Sequence, residues 1–97
     1  MVTLSTKPYY IIENEHFKYY IKERRVFENY RPEELFWHRD TENRIITLVE
    51  GECQIQKDNS LPINIDNGSI VFIEKMKYHR LLTKNTSRLV IDVYKFK

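Results

Sequence analysis

Apolar residues in this chain recur at every second position, and that period limits what it can fold into. Leu61, Ile63 and Ile65 alternate with Pro62, Asn64 and Asp66, while Cys53 and Ile55 alternate with Glu52, Gln54 and Gln56. Leu89, Ile91 and Val93 share one face of the last segment. Successive strand side chains point to opposite faces, so this pattern buries one face of a sheet, whereas an amphipathic helix needs a period of 3.6. Ile45 to Val49 and Ile70 to Ile73 are nearly continuous apolar runs with β-branched members. Turn residues bound these segments at Glu50-Gly51, Asp58-Asn59-Ser60 and Asp66-Asn67-Gly68. Short strands at regular spacing predict an all-β fold, a small antiparallel barrel or sandwich. One short helical turn fits at Arg31-Pro32-Glu33-Glu34-Leu35, where Pro32 suits a first helical position and the acids suit a helix N-terminus.

The first third is rich in aromatic residues. Tyr9 to Glu13 and Phe17 to Phe27 read as two strands, the second with Phe17, Tyr19 and Ile21 on one face and Lys18, Tyr20 and Lys22 on the other. Residues 1–16 read as an N-terminal arm or edge strand, and His16 is expected in solvent, in an Asn14-Glu15-His16 turn. Aromatics interleaved with bases can stack single-stranded nucleic acid, but equal numbers of acids lie among these bases and would repel a phosphate backbone.

A chain of 97 residues supports one domain, residues 1–97, with roughly 60 to 70% of its unfolded surface buried. Cys53 is the sole cysteine, so no internal disulfide forms and the core alone must hold the fold. On a lone alternating position it reads as a small core residue, not a nucleophile. No apolar run is long enough to span a membrane or to serve as a secretion signal, and a cytoplasmic location is expected. The net charge is only +2, but residues 74–97 carry seven bases against two acids. That end can meet phosphates, or its lysines can simply face water.

Two stretches carry more specific information. Trp37-His38-Arg39-Asp40 leads through Glu42-Asn43-Arg44 to Gly51, and Gly68-Ser69-Ile70-Val71-Phe72-Ile73 leads to Tyr78-His79. They resemble the paired motifs of the cupin superfamily. The first of these is written as glycine, His-x-His, a glutamate three or four residues on, and a glycine six residues later. His38, Asp40, Arg44 and Gly51 take those places after a missing leading glycine. In the second motif Gly68 and His79 keep their spacing, while Glu74, Met76 and Thr83 replace its proline, glycine and asparagine. The resemblance implies a cupin (jelly-roll) barrel, into which His38, Asp40, Arg44, Ile46 and Leu48 would point by parity.

Metal-binding cupins use three imidazoles and a carboxylate at these places. His38, Asp40 and His79 would be the ligands here, in a stand-alone metal-dependent cupin enzyme such as an oxygenase or isomerase. Arg44 opposes that, since a guanidinium is permanently positive and can engage Asp40. No cofactor is expected on this reading. The cadence from Ile46 to Glu52 and from Gly68 to His79 is most similar to the N-terminal sensor and dimerisation domain of AraC-family transcription regulators. That resemblance implies a non-catalytic domain with a small-molecule effector held by His38, Asp40, Arg44, Ile46, Leu48, Cys53, Ile73, His79 and Leu81. It further implies a homodimer, no membrane association, and DNA contact only through a helix-turn-helix domain beyond Lys97.

Overall fold

The computed structural model describes residues 7–28, 35–83 and 88–97. Among these it has eight strands and no helix: β1 Tyr10–His16, β2 Tyr20–Phe27, β3 Arg44–Glu50, β4 Cys53–Lys57, β5 Ile63–Ile65, β6 Ile70–Ile73, β7 His79–Leu82 and β8 Leu89–Phe96. Residues 31–34 of the expected helical turn lie outside the described residues. The named strands pair antiparallel throughout, in a five-stranded sheet ordered β1-β2-β8-β3-β6 and a three-stranded sheet ordered β5-β4-β7. The all-β expectation holds.

Period-two residues on the facing sides of the two sheets make the core. Phe27, Ile46, Leu48, Cys53, Ile55, Ile65, Ile73, Leu89, Ile91 and Val93 form one buried cluster. Each aliphatic member contributes on the order of 1.5–3 kcal/mol by leaving water. Alternation overstates burial at the sheet edges. Leu61 and Ile63 are exposed and only Ile65 of that trio is buried, because β5 is an edge strand with little above its first residues.

Pairing also corrects the reading of the first third. Tyr10↔Val26 through His16↔Ile21 places the chain reversal at Phe17–Tyr19, where Phe17 N–H donates to Tyr20 O at 2.8 Å. The long strand expected from Phe17 therefore starts at Tyr20, and His16 ends β1 on an exposed position instead of occupying a turn. Cross-strand register decided this, and register is a property of two segments. The basic C-terminal end is solvated only in part: Lys75, Lys77 and Lys97 are exposed, whereas Lys95 reaches inward to Glu23 at 2.7 Å and the exposed Arg88 engages Glu28 and Glu50.

The turns at Gly51 and Gly68 both use left-handed backbone, with φ of 93° and 83°. Gly51 follows a β-bulge between Leu48 and Glu50, where β3 presses against the start of β8. Gly68 closes the turn in which Ser69 N–H donates to Asp66 O at 3.0 Å.

Candidate functional site

The two sequence stretches meet through their backbones. His38 N–H donates to His79 O at 2.9 Å and His79 N–H to His38 O at 3.0 Å, an isolated antiparallel bridge that sets the rings 4.3 Å apart between centroids. The residues beside them clamp this bridge on the other face: Trp37 stacks on Tyr78 at 5.2 Å, with Arg80 over Trp37 and Arg39 over Tyr78. Asp40 is fixed in turn, since its carbonyl accepts from Met76 N–H at 2.7 Å. Met76 stands where the cupin motif has glycine and adopts the glycine-like φ of 63°.

His38, Asp40 and His79 thereby converge, their ligating atoms within 4.8 Å of one another. His38 Nδ1 lies 2.9 Å from Phe36 O and His79 Nδ1 lies 2.7 Å from Lys77 O. A carbonyl only accepts, so each Nδ1 carries a proton, and Nε2 of the neutral ring presents a lone pair. Both Nε2 atoms face Asp40, at 3.6 Å from Oδ1 for His38 and 3.2 Å from Oδ2 for His79. Lone pairs opposed to carboxylate oxygens repel unless positive charge lies between them. Asp40 is buried, and its Oδ2 makes no aligned hydrogen bond despite the proximity of His79.

Arg44 is engaged mainly elsewhere. Its Nε and Nη2 reach Glu42 Oε1 at 2.9 and 2.7 Å, while Nη1 lies 3.3 Å from Asp40 Oδ1. Burial is the strongest single influence on Asp40 and pushes its carboxyl up. His79 as a doubly protonated donor, with the positive charges of Arg44 and of a protonated His38, outweighs it and holds the group below the usual carboxylate range.

An open cavity of about 440 Å³ lies beside this cluster, within the range of small-molecule sites. His38, Asp40, Arg44 and Leu81 line it, together with Arg25 and Lys95. Of the other residues expected around one pocket, Ile46 and Ile73 are packed in the core, where parity points them inward but neighbours fill the space. Leu48 and Cys53 line a separate hollow of about 430 Å³. Burial pushes the Cys53 thiol up to about 11, so it stays protonated and unreactive near neutrality.

Sequence reasoning missed Glu42 and a second inward-facing charged group. Glu23 and Arg25 alternate on β2 toward the interior, where Arg25 Nε and Nη2 donate to Glu23 Oε1 at 3.0 and 2.8 Å. The Glu-x-Arg spacing was the available signal, but only the register with β8 shows that this face is the inner one. For Glu23, burial acts upward and most strongly, yet hydrogen bonds and charge from Lys95 and Arg25 win and set it below its ordinary 4.5. A depressed carboxyl contributes stability that is present above the unfolded value and lost as pH falls through the folded one. The stability gap between the wild type and Glu23→Gln in urea is therefore expected to shrink as pH drops from about 6 to about 3. A gap independent of pH would contradict the buried ion cluster.

No protein-family model matches the chain, and no curated protein matches it significantly. Solved structures do. A RmlC-like cupin with a double-stranded β-helix fold from Methanocaldococcus jannaschii superposes with a TM-score of 0.72 at 14% identity, over 99% of this chain and 86% of that one. A cupin-2 domain protein from Shewanella frigidimarina gives 0.69 at 19%, covering 92% and 79%. HppE in its iron(II) form with substrate gives 0.74 at 14%, covering 98% of this chain and 58% of HppE. The chain thus has the cupin fold, a double-stranded β-helix, with His38 and Asp40 of its first motif lining one cavity. Among the described residues no helix is long and apolar enough to cross a membrane.

Proposed function

We propose that this chain is a metal-binding cupin in which His38, Asp40 and His79 hold a divalent first-row ion beside a cavity for a small molecule. The observation that carries this reading is the orphaned Asp40 Oδ2, buried and faced by an imidazole nitrogen whose proton sits on the opposite side of the ring. Two imidazoles and one carboxylate are a donor set that suits iron(II) and related ions. Backbone carbonyls on both Nδ1 atoms are the usual outer partners that fix a ligating tautomer.

Arg44 supports this site instead of excluding an ion. Glu42 takes most of its charge, so Asp40, Glu42 and Arg44 together leave one negative charge for a cation to meet. The contact to Oδ1 orients Asp40. When bound, the ion supplies Lewis-acid polarisation or, as iron, electron exchange with a small molecule placed next to it. The protein's part is to hold the donors, keep the carboxylate ionised and shape the cavity.

Reconstitution followed by elemental analysis tests the reading. Dialysed protein supplemented with iron(II), manganese(II) or zinc(II) is expected to keep close to one ion per chain, and less than about 0.2 after removal of loose ions sinks it.

The second reading is an effector-sensing and dimerisation domain of AraC type, favoured by the 3.3 Å approach of Arg44 to Asp40. In that case the positive charge between Asp40 and the imidazoles is carried by protons. Such a domain would be a dimer, would bind its effector without metal, and would lose that binding in Arg44→Ala while remaining folded.

A further inference from the structure

Positive charge gathers inside the cavity on the wall made by the five-stranded sheet. Arg25, Arg44 and Lys95 face it, with Asp40 in the wall and Glu23 and Glu42 bound to these bases. Glu23 carries two of them: Arg25 on Oε1, and Lys95 on Oε2 at 2.7 Å. Glu23 and Arg25 are both more than nine-tenths buried.

A staple between β2 and β8 would need only one of the two bases. The second adds desolvation cost without a second acid to repay it. Register adds a second penalty, because Lys95 lies directly opposite Arg44 across the β3–β8 pair, and like charges facing each other on one sheet face repel. An anion in the cavity removes both penalties. Arg25 is also set rigidly for this, its guanidinium lying 4.3 Å over the Tyr9 ring beside Phe27.

We infer that Arg25 and Lys95 form an anion subsite that takes the carboxylate or phosphoryl group of a small molecule reaching toward His38, Asp40 and His79. This names the ligand class for the cavity proposed above, and it rests on that cavity being the binding site, not on the metal. Phe27, Leu35 and Leu81 in the same cavity suit an apolar body between the two polar ends.

The test uses metal-free and zinc-loaded protein, with phenylacetate, inorganic phosphate and the uncharged phenylacetamide as probes, followed by two-dimensional NMR titration. At least one anion is expected to shift resonances of β2 and β8 and to bind at least tenfold more tightly than the amide. Lys95→Met, which leaves the Glu23–Arg25 pair intact, should weaken the anion about tenfold. Glu23→Gln releases both bases and should tighten it, a gain that a purely structural cluster would not produce. Equal binding of acid and amide, or unchanged anion affinity in both variants, overturns the inference. If the wild type takes no metal but still binds anions through Lys95, the subsite stands and the metal reading falls. If zinc loads and anions do not bind, the reverse holds.

Discussion

Gly51→Ala is expected to destabilise the fold by about 2–4 kcal/mol, against about 1 kcal/mol for Gly68→Ala. Both glycines have positive φ, so each substitution carries the left-handed penalty of an L-residue. Only at Gly51 is there also no room. A Cβ there would sit 2.6 Å from Arg88 O and 3.2 Å from Leu89 Cα, backbone atoms at the start of β8. Relieving that contact would push β3 and β8 apart beside Leu89, one of the fully buried side chains. At Gly68 an added Cβ meets nothing within 4 Å. For a domain of this size the Gly51 variant should melt at least about 10 °C lower, while Gly68→Ala moves the midpoint by only about 4–8 °C. Thermal and urea unfolding of the two variants side by side measure this. Equal losses would mean that the close approach of β3 to β8 is not what Gly51 serves.

Asp40→Asn should weaken metal binding at least about 100-fold without unfolding the domain. The carboxamide is uncharged and turns one of its two ligating positions into an N–H₂ donor, which repels a cation and can donate to an Nε2 lone pair that the ion would otherwise take. Arg44 keeps its two contacts to Glu42 in this variant, so no buried guanidinium is stranded. Competition against a chromophoric zinc chelator gives the affinity, and the amide NMR spectrum reports the fold. His16→Ala is the control, because His16 is exposed and lies outside the cluster. Unchanged zinc affinity in Asp40→Asn would remove Asp40 from the ligand set, and with it the metal-binding proposal.

Much of the scaffold was legible locally. The turns at Gly51, Asn59 and Gly68 were read from residues that tolerate positive φ, and each has it. Of the β-strands after residue 43, β4, β5 and β8 followed from alternation and β3 and β6 from apolar runs, with Ile46, Ile55, Ile91 and Val93 inward, while β7 carried no such signal. The strand at Phe17 was misplaced because Phe17, Tyr19 and Ile21 alternate as well as any strand does. What Phe17 and Tyr19 lack is a strand partner, since β1 pairs only as far as Ile21.

The site was less legible, for a related reason. His38, Asp40 and His79 could be picked out as a set, yet Arg44 in the glutamate place argued against a cation. On that reading Arg44 had only Asp40 as a partner, a contact the structure has at 3.3 Å. In the structure Glu42, two residues away on the same side, absorbs the charge, and Asp40 keeps an open oxygen.

The sequence alone therefore determined an all-β chain, its main turns, its apolar face and the candidate donors. These rest on interactions within a few residues, where strand periodicity and φ preferences act directly. Tertiary structure decided which charges face inward, that Lys95 and Arg25 share Glu23, and that Arg44 leans on Glu42. Those outcomes depend on the register between strands far apart in the chain. Electrostatic balance follows from through-space distance, which the order of residues does not contain.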